Sequence, residues 1–104
     1  MKSVALPWNK AAVFICTKCA KSISGASSDL ADDLKKELKN EMKDLGLSQE
    51  IRVMTSGCLN ICEKEFQAVA LIPRKNPSLA SVKVINPFKD KEALKKEILN
   101  LKNI

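Results

Sequence analysis

The sequence of 104 residues predicts one α/β domain, a four-stranded mixed sheet with two main helices in the order β-α-β-(short α)-β-β-α. Three observations support this prediction. Two short apolar runs flank a long amphipathic segment, two further apolar runs follow, and a second amphipathic segment comes last. Hydrophobic residues make up 45% and charged residues 29%, which is typical of a globular chain and unlike a disordered one. A second independent core would be hard to fit in this length, so we expect a single domain over residues 1–104.

The first half of the chain predicts strand, helix and strand. The apolar run 11–15 ends at Cys16 and suits a buried strand, and the Ser-, Lys- and Gly-containing segment 16–28 suits a loop. We expect a helix with Ser28 as N-cap and Gly46 at its end. Its apolar stripe is Leu30, Leu34, Leu38, Met42 and Leu45. The alternating segment 50–55 predicts a second strand, parallel to the first across a right-handed crossover.

The second half predicts a short helical turn, a hairpin and a closing helix. The helical turn is expected over 58–62, the third strand over 67–72 with Pro73 closing it, a turn at 76–78, and the fourth strand over 81–85. The final helix is expected over 90–103. Its predicted inward-facing residues are Ala93, Leu94, Ile98 and Leu101. Together the elements have the order of a thioredoxin-like α/β sandwich.

The chain contains no histidine, which removes several classes of site. General-base catalysis by histidine, Cys-His and Ser-His nucleophile pairs, histidine-ligated haem, Rieske centres and imidazole-containing zinc sites are all excluded. Four cysteines are therefore the soft metal ligands available: Cys16, Cys19, Cys58 and Cys62.

These cysteines form two close pairs, each following a predicted strand. Cys16 ends the first strand and Cys58 follows the second, and the carboxyl ends of adjacent parallel strands lie at the same end of a sheet. The spacing within each pair lets both sulfurs bind one centre. Four thiolates without imidazole fit a [2Fe–2S] cluster, a [4Fe–4S] cluster or a zinc site with four cysteine ligands. Free cysteines also serve as small buried hydrophobic residues, and this remains the simplest alternative.

Other features bear on compartment and partners. The first ten residues lack a continuous apolar signal-peptide core, and no stretch is long enough to span a bilayer, so we expect a cytoplasmic protein without a membrane association. In a reducing compartment, paired cysteines are more often metal-binding or catalytic than disulfide-bonded. The net charge of +6 comes without Arg clusters or interleaved aromatic residues, so no nucleic-acid partner is expected.

Two segments resemble the thioredoxin-like [2Fe–2S] ferredoxins. They are Ala12-Val13-Phe14-Ile15-Cys16 and Val53-Met54-Thr55-Ser56-Gly57-Cys58-Leu59-Asn60-Ile61-Cys62-Glu63. The same cluster domain occurs in the small thioredoxin-like subunit of respiratory NADH dehydrogenases. The resemblance implies a [2Fe–2S] cluster near the surface, bound by Cys16, Cys58 and Cys62 at matching positions, and one-electron transfer to or from a redox partner protein.

The chain departs from that family at two places. The family takes its second ligand further along the first loop, where this chain has Ser24-Gly25-Ala26-Ser27. We therefore expect Cys19 to substitute as the second ligand, with the Ser27 oxygen as the weaker alternative. The family also places Gly-Pro after the last ligand, whereas Glu63-Lys64-Glu65-Phe66 stands here. Lys18, Lys21 and Lys64 lie beside the ligands in sequence and would steer an acidic partner, although a solubilising role is the simpler explanation of these charges.

Two other functions stay open. Cys16-Thr17-Lys18-Cys19 resembles the redox motif of thioredoxins, which predicts a thiol-disulfide oxidoreductase, although this leaves Cys58 and Cys62 unexplained. A four-cysteine zinc site or a cluster-free interaction domain is the other alternative. We interpret the chain as a non-enzymatic electron carrier and assign no catalytic residue. The sequence leaves the oligomeric state open, a homodimer included.

Overall fold

The computed structural model describes residues 1–19, 23–61 and 63–103. Within these ranges the chain forms four strands and two α-helices. They are β1 (Ala11–Cys16), α1 (Leu30–Asp44), β2 (Ile51–Ser56), β3 (Gln67–Pro73), β4 (Ser81–Ile85) and α2 (Lys91–Asn100). The strands lie in the order β2-β1-β3-β4. The predicted α/β class, with a mixed four-stranded sheet and two helices, is confirmed.

Strand pairing determines which residues meet at the end of the sheet. β1 and β2 are parallel, with Cys16 beside Ser56, and both strands end at this pair. The backbone N–H and Oγ1 of Thr17 both donate to the Ser56 carbonyl, at 3.0 and 2.8 Å, and hold the two strand ends together. β3 is antiparallel to β1 and β4, so the predicted hairpin is also confirmed.

The main core lies on one face of the sheet, beneath both helices. Alternate residues of each strand face this side because successive side chains of a strand point to opposite faces. The strands contribute Ala11, Val13, Ile15, Ile51, Val53, Val69, Leu71 and Ile85, and the helices contribute Ala31, Leu34, Leu38, Met42, Leu94 and Ile98. Cys16 has the opposite parity to Val13 and Ile15. It belongs to a second cluster with Cys19, Ile23 and Ala68.

Helix α1 differs from the prediction at both ends. It begins at Leu30, and its N-cap is Asp29, one residue later than the predicted Ser28. The Asp29 side chain makes no capping hydrogen bond. At the other end Gly46 has φ +72, and its N–H donates to the Lys43 carbonyl while the Leu47 N–H donates to the Met42 carbonyl. These two bonds form a Schellman motif, which places the predicted terminating glycine at C′. Leu45, predicted to face the core, is exposed because it is the C-cap.

The bounds of several other strands and helices also differ from the predicted ones. β2 is shifted one residue later than predicted, β3 includes Pro73, and the hairpin turn is a 3-10 turn at Pro77–Leu79. α2 is shorter than predicted and continues as a 3-10 turn, Leu101–Asn103, and Ala93 on its surface is exposed. The helical turn expected over 58–62 is absent from the described residues 58–61, where Asn60 has φ +60.

No helix within the described ranges has the length and apolar character needed to cross a membrane.

Candidate functional site

Three of the four predicted cysteines lie within the described residues, at one end of the sheet. Cys16 ends β1, Cys19 lies in the following loop, and Cys58 comes two residues after β2 ends. Cys62 lies outside the described residues. The two strand ends are adjacent, so the parallel pairing predicted from the sequence does bring the two cysteine-bearing segments to the same edge.

Cys16 is buried, and hydrogen-bond donors surround its sulfur. The side chain is 1% exposed, and its Sγ accepts the Lys18 N–H at 3.4 Å. Burial raises the pKa of the Cys16 thiol, while the Lys18 backbone and the Cys19 side chain lower it through hydrogen bonds. The Leu59 and Cys19 backbones also donate, and together these bonds outweigh burial and leave the pKa below its ordinary value. The surroundings therefore favour the thiolate.

Cys19 packs beneath the loop and is bonded to β3. Its side chain is 7% exposed, within the cluster that also contains Ile23 and Ala68. The Ala68 N–H donates to Cys19 Sγ at 3.4 Å. Cys16 and Cys19 therefore share one buried cluster, and the Cys19 side chain contributes to the lowered pKa of the Cys16 thiol.

Cys58 is the exposed member of the group. Its Sγ accepts the Asn60 N–H at 3.3 Å and lies 4.0 Å from Asn60 Oδ1. Asn60 has a left-handed backbone (φ +60), a conformation that asparagine tolerates better than most residues. The chain turns here, and the Asn60 N–H points back to the Cys58 sulfur. The backbone of the residue after Cys58, Leu59, is one of the groups that lower the pKa of the Cys16 thiol. The segment after β2 therefore contacts the buried cysteine through its backbone.

Gln67 belongs to the site although the sequence analysis did not single it out. It is fully buried at the start of β3, and its Nε2 donates to the Cys16 carbonyl. Among the described residues, Oε1 of the same amide has no hydrogen-bond partner. The sequence did contain a sign of this role, because Gln67 is a polar amide at the start of the otherwise apolar run 67–72. An amide that is buried in a strand requires hydrogen-bond partners.

Ser24 and Glu65 join the two loops that flank the cysteines, and sequence reasoning also missed this contact. Ser24 donates its N–H to Glu65 Oε2 at 2.9 Å and its hydroxyl to Oε1 at 2.7 Å. These hydrogen bonds, backbone first, lower the pKa of the Glu65 carboxyl, and nearby Lys64 adds a smaller lowering effect. No local periodicity marks such a pair, because the two residues are distant in sequence.

The described residues do not form a complete metal-ligand set. Within residues 1–19, 23–61 and 63–103, no three His, Cys, Asp or Glu side chains are grouped so that they could hold a metal ion. Lys18 and Lys64, two of the three lysines near the cysteines in sequence, are exposed, and Lys21 lies outside the described residues.

Comparison with known proteins finds no matching family model, curated protein or solved structure. The function must therefore be argued from the site itself.

Proposed function

We propose that this chain is a thioredoxin-like electron-transfer protein that binds a [2Fe–2S] cluster through Cys16, Cys19, Cys58 and Cys62. One observation carries the proposal: the sulfur of each described cysteine accepts a backbone N–H. The donors are Lys18 to Cys16, Ala68 to Cys19, and Asn60 to Cys58, at 3.4, 3.4 and 3.3 Å.

This pattern of donors suits thiolate ligands. A neutral thiol is a weak acceptor, whereas an anionic sulfur gains more from each N–H and has its pKa lowered by it. Hydrogen bonds to cysteine sulfurs also help set the reduction potential of an iron–sulfur cluster. The donor set is therefore compatible with the cluster. A bound cluster would supply one-electron redox chemistry, and the protein would supply thiolates, N–H donors and shielding from solvent.

The fold provides further support. The order β2-β1-β3-β4, with a parallel β1–β2 pair and an antiparallel β3–β4 hairpin, agrees with the thioredoxin-like arrangement expected from the sequence. It places the cysteine segments at the carboxyl ends of parallel strands, where α/β proteins bind ligands.

The surface near Cys58 suits a transient redox partner. Ile61 and Phe66 are large apolar side chains exposed close to the site in sequence, at 39% and 37%. Lys18 and Lys64 are exposed and close to the cysteines in sequence, so we propose that the partner is acidic at its contact surface. Small, short-lived interfaces of this kind are typical of electron-transfer complexes.

The experiment is metal and sulfide analysis of the protein purified without oxygen. Because a [2Fe–2S] cluster contains two irons and two sulfides, we expect two of each per chain, together with a visible chromophore. Cys58→Ala should abolish both. Ser27→Ala is the matched control because Ser27 is the alternative ligand in the first loop, and it should retain iron and sulfide at the wild-type level. Zinc without sulfide, or no metal after attempted reconstitution, would overturn the proposal.

One specific observation favours a second candidate, a thiol-disulfide oxidoreductase. Cys16 and Cys19 are hydrogen-bonded to each other within a Cys-x-x-Cys motif. In this reaction their two thiols would be oxidised to one disulfide while a substrate disulfide is reduced to two thiols. Against it, both side chains are buried, and in the described part of the chain no α-helix begins at Cys16 to stabilise a thiolate. Disulfide reductase activity that survives Cys58→Ala and Cys62→Ala would favour this candidate.

A further inference from the structure

We propose that Glu65 is a positioning residue for the buried cysteine pair: by holding Ser24, its carboxylate keeps Ile23 in the buried cluster with Cys16 and Cys19 and restricts access to their sulfurs. The inference concerns the accessibility of the two side chains. Only one consequence rests on the proposed function: the same contact would protect a bound cluster from solvent.

Adjacent contacts connect Glu65 to the cysteines. Ser24 uses both its N–H and its hydroxyl on the two oxygens of one carboxylate, at 2.9 and 2.7 Å, so its position is defined by two bonds. Ile23 immediately precedes Ser24 and is 6% exposed, in the same cluster as Cys16, Cys19 and Ala68. A displacement of Ser24 would therefore disturb Ile23 and the buried cluster that it shares with the two cysteines.

The backbone of Glu65 is a second, independent observation. Its φ is +70, in the left-handed region that glycine adopts readily and glutamate disfavours. The local turn, in which the Phe66 N–H donates to the Glu63 carbonyl at 3.1 Å, would be less strained with glycine. What glutamate provides at this position is the carboxylate that binds Ser24, and hydrogen bonds to a charged acceptor are stronger than those between neutral groups.

The contact also joins the two cysteine-bearing segments. Ser24, like Cys19, lies between β1 and α1 along the chain, and Glu65 lies between Cys58 and β3. The first of these segments is also bonded to a strand, because the Ala68 N–H donates to Cys19 Sγ. The Ser24–Glu65 pair adds a side-chain connection on the exposed side of the site.

The test measures how fast iodoacetamide alkylates each cysteine in the reduced, metal-free protein, read by peptide mass spectrometry. Three variants are compared with wild type: Glu65→Gly, Glu65→Gln and the control Glu63→Gln. Glu65→Gly removes the carboxylate and relieves the backbone strain. Glu65→Gln keeps the side-chain length but replaces one acceptor by a donor. Glu63→Gln removes a negative charge from the same exposed segment without touching Ser24.

We expect Glu65→Gly to raise the alkylation rate of Cys16 and Cys19 by about tenfold, and Glu65→Gln by a smaller factor, through easier local opening. The rate at Cys58, already exposed, should change by less than about twofold, as should all rates in Glu63→Gln. Urea unfolding is recorded alongside, because a global loss of stability would accelerate the buried cysteines in proportion to it. Rates at Cys16 and Cys19 that stay within about twofold of wild type, or rise only as much as global unfolding requires, would overturn the proposal.

The outcome is independent of the cluster. A chain that binds no iron still reports its cysteine accessibility, so failure of the electron-transfer proposal leaves this test intact. Where iron is bound, its rate of release to a chelator should rise in Glu65→Gly and stay at the wild-type value in Glu63→Gln.

Discussion

The Ala68 N–H donates to the sulfur of Cys19 at 3.4 Å, which bonds the first cysteine loop to strand β3. Ala68 is fully buried and lies on the sheet face opposite the main core. Since β3 is hydrogen-bonded to β1, the strand that ends at Cys16, both members of the Cys16–Cys19 pair are held by neighbouring strands. The pair is therefore positioned by the sheet and does not depend on its loop alone.

Removing the acceptor at Cys19 should destabilise the metal-free protein. Cys19→Ala leaves the buried Ala68 N–H without its partner, which should cost about 1–3 kcal/mol in the free energy of unfolding measured with urea. Cys58→Ala is the control, because Cys58 is exposed and its substitution should change stability by no more than about 0.5 kcal/mol. Equal effects of the two substitutions would contradict this account of Cys19.

The contribution of Glu65 to stability should depend on pH. Its folded-state pKa is lowered by the Ser24 hydrogen bonds, whereas the pKa of an unfolded Glu is about 4.3. The contribution is therefore fully present above the unfolded pKa and is lost as the pH falls through the lower folded-state pKa. We expect wild type to be more stable than Glu65→Gln at neutral pH, and this difference to shrink in acid. Thermal unfolding across the pH range measures it, and a difference independent of pH would contradict the sign.

Two glycines should respond differently to alanine. Gly46 has φ +72 at the end of α1, so Gly46→Ala should cost about 1–2 kcal/mol from the left-handed backbone alone, since the added Cβ meets no atom. Gly57 precedes Cys58 without a positive φ, and its added Cβ also meets nothing. Gly57→Ala should stay within about 0.5 kcal/mol of wild type. Urea unfolding of both variants checks the contrast, and a larger loss in Gly57→Ala would refute it.

A leucine pair on α1 tests the position of the core. Leu38 is fully buried under the sheet, so Leu38→Ala should lower the free energy of unfolding by about 2–5 kcal/mol. Leu45 is 49% exposed at the C-cap, and the same substitution there should cost well under half as much. The comparison keeps the chemical change constant and varies only burial. Similar losses in the two variants would show that α1 is rotated from the described orientation.

The fold class followed from patterns that are local in sequence. Apolar spacing in α1 identifies its buried face, and the short continuous apolar runs of β1 and β3 predict strands that are buried on both faces. A helix between the first two strands and a short turn between the last two limit the topology to parallel and antiparallel pairing. Boundaries were less accurate, as the shift from Ser28 to Asp29 at the start of α1 shows, since several polar residues there are compatible with capping.

The candidate site divides in the same way. The sequence by itself determined that Cys16 and Cys19 are close and that Cys58 follows an adjacent strand, because spacing and strand order are written along the chain. Only the tertiary structure decided that Gln67 bonds the Cys16 carbonyl and that Glu65 holds Ser24. These contacts join residues far apart in sequence, and each depends on the distance and direction between two groups after the sheet has formed. Local periodicity reports which side of an element is buried, but it carries no information about which distant partner that side will meet.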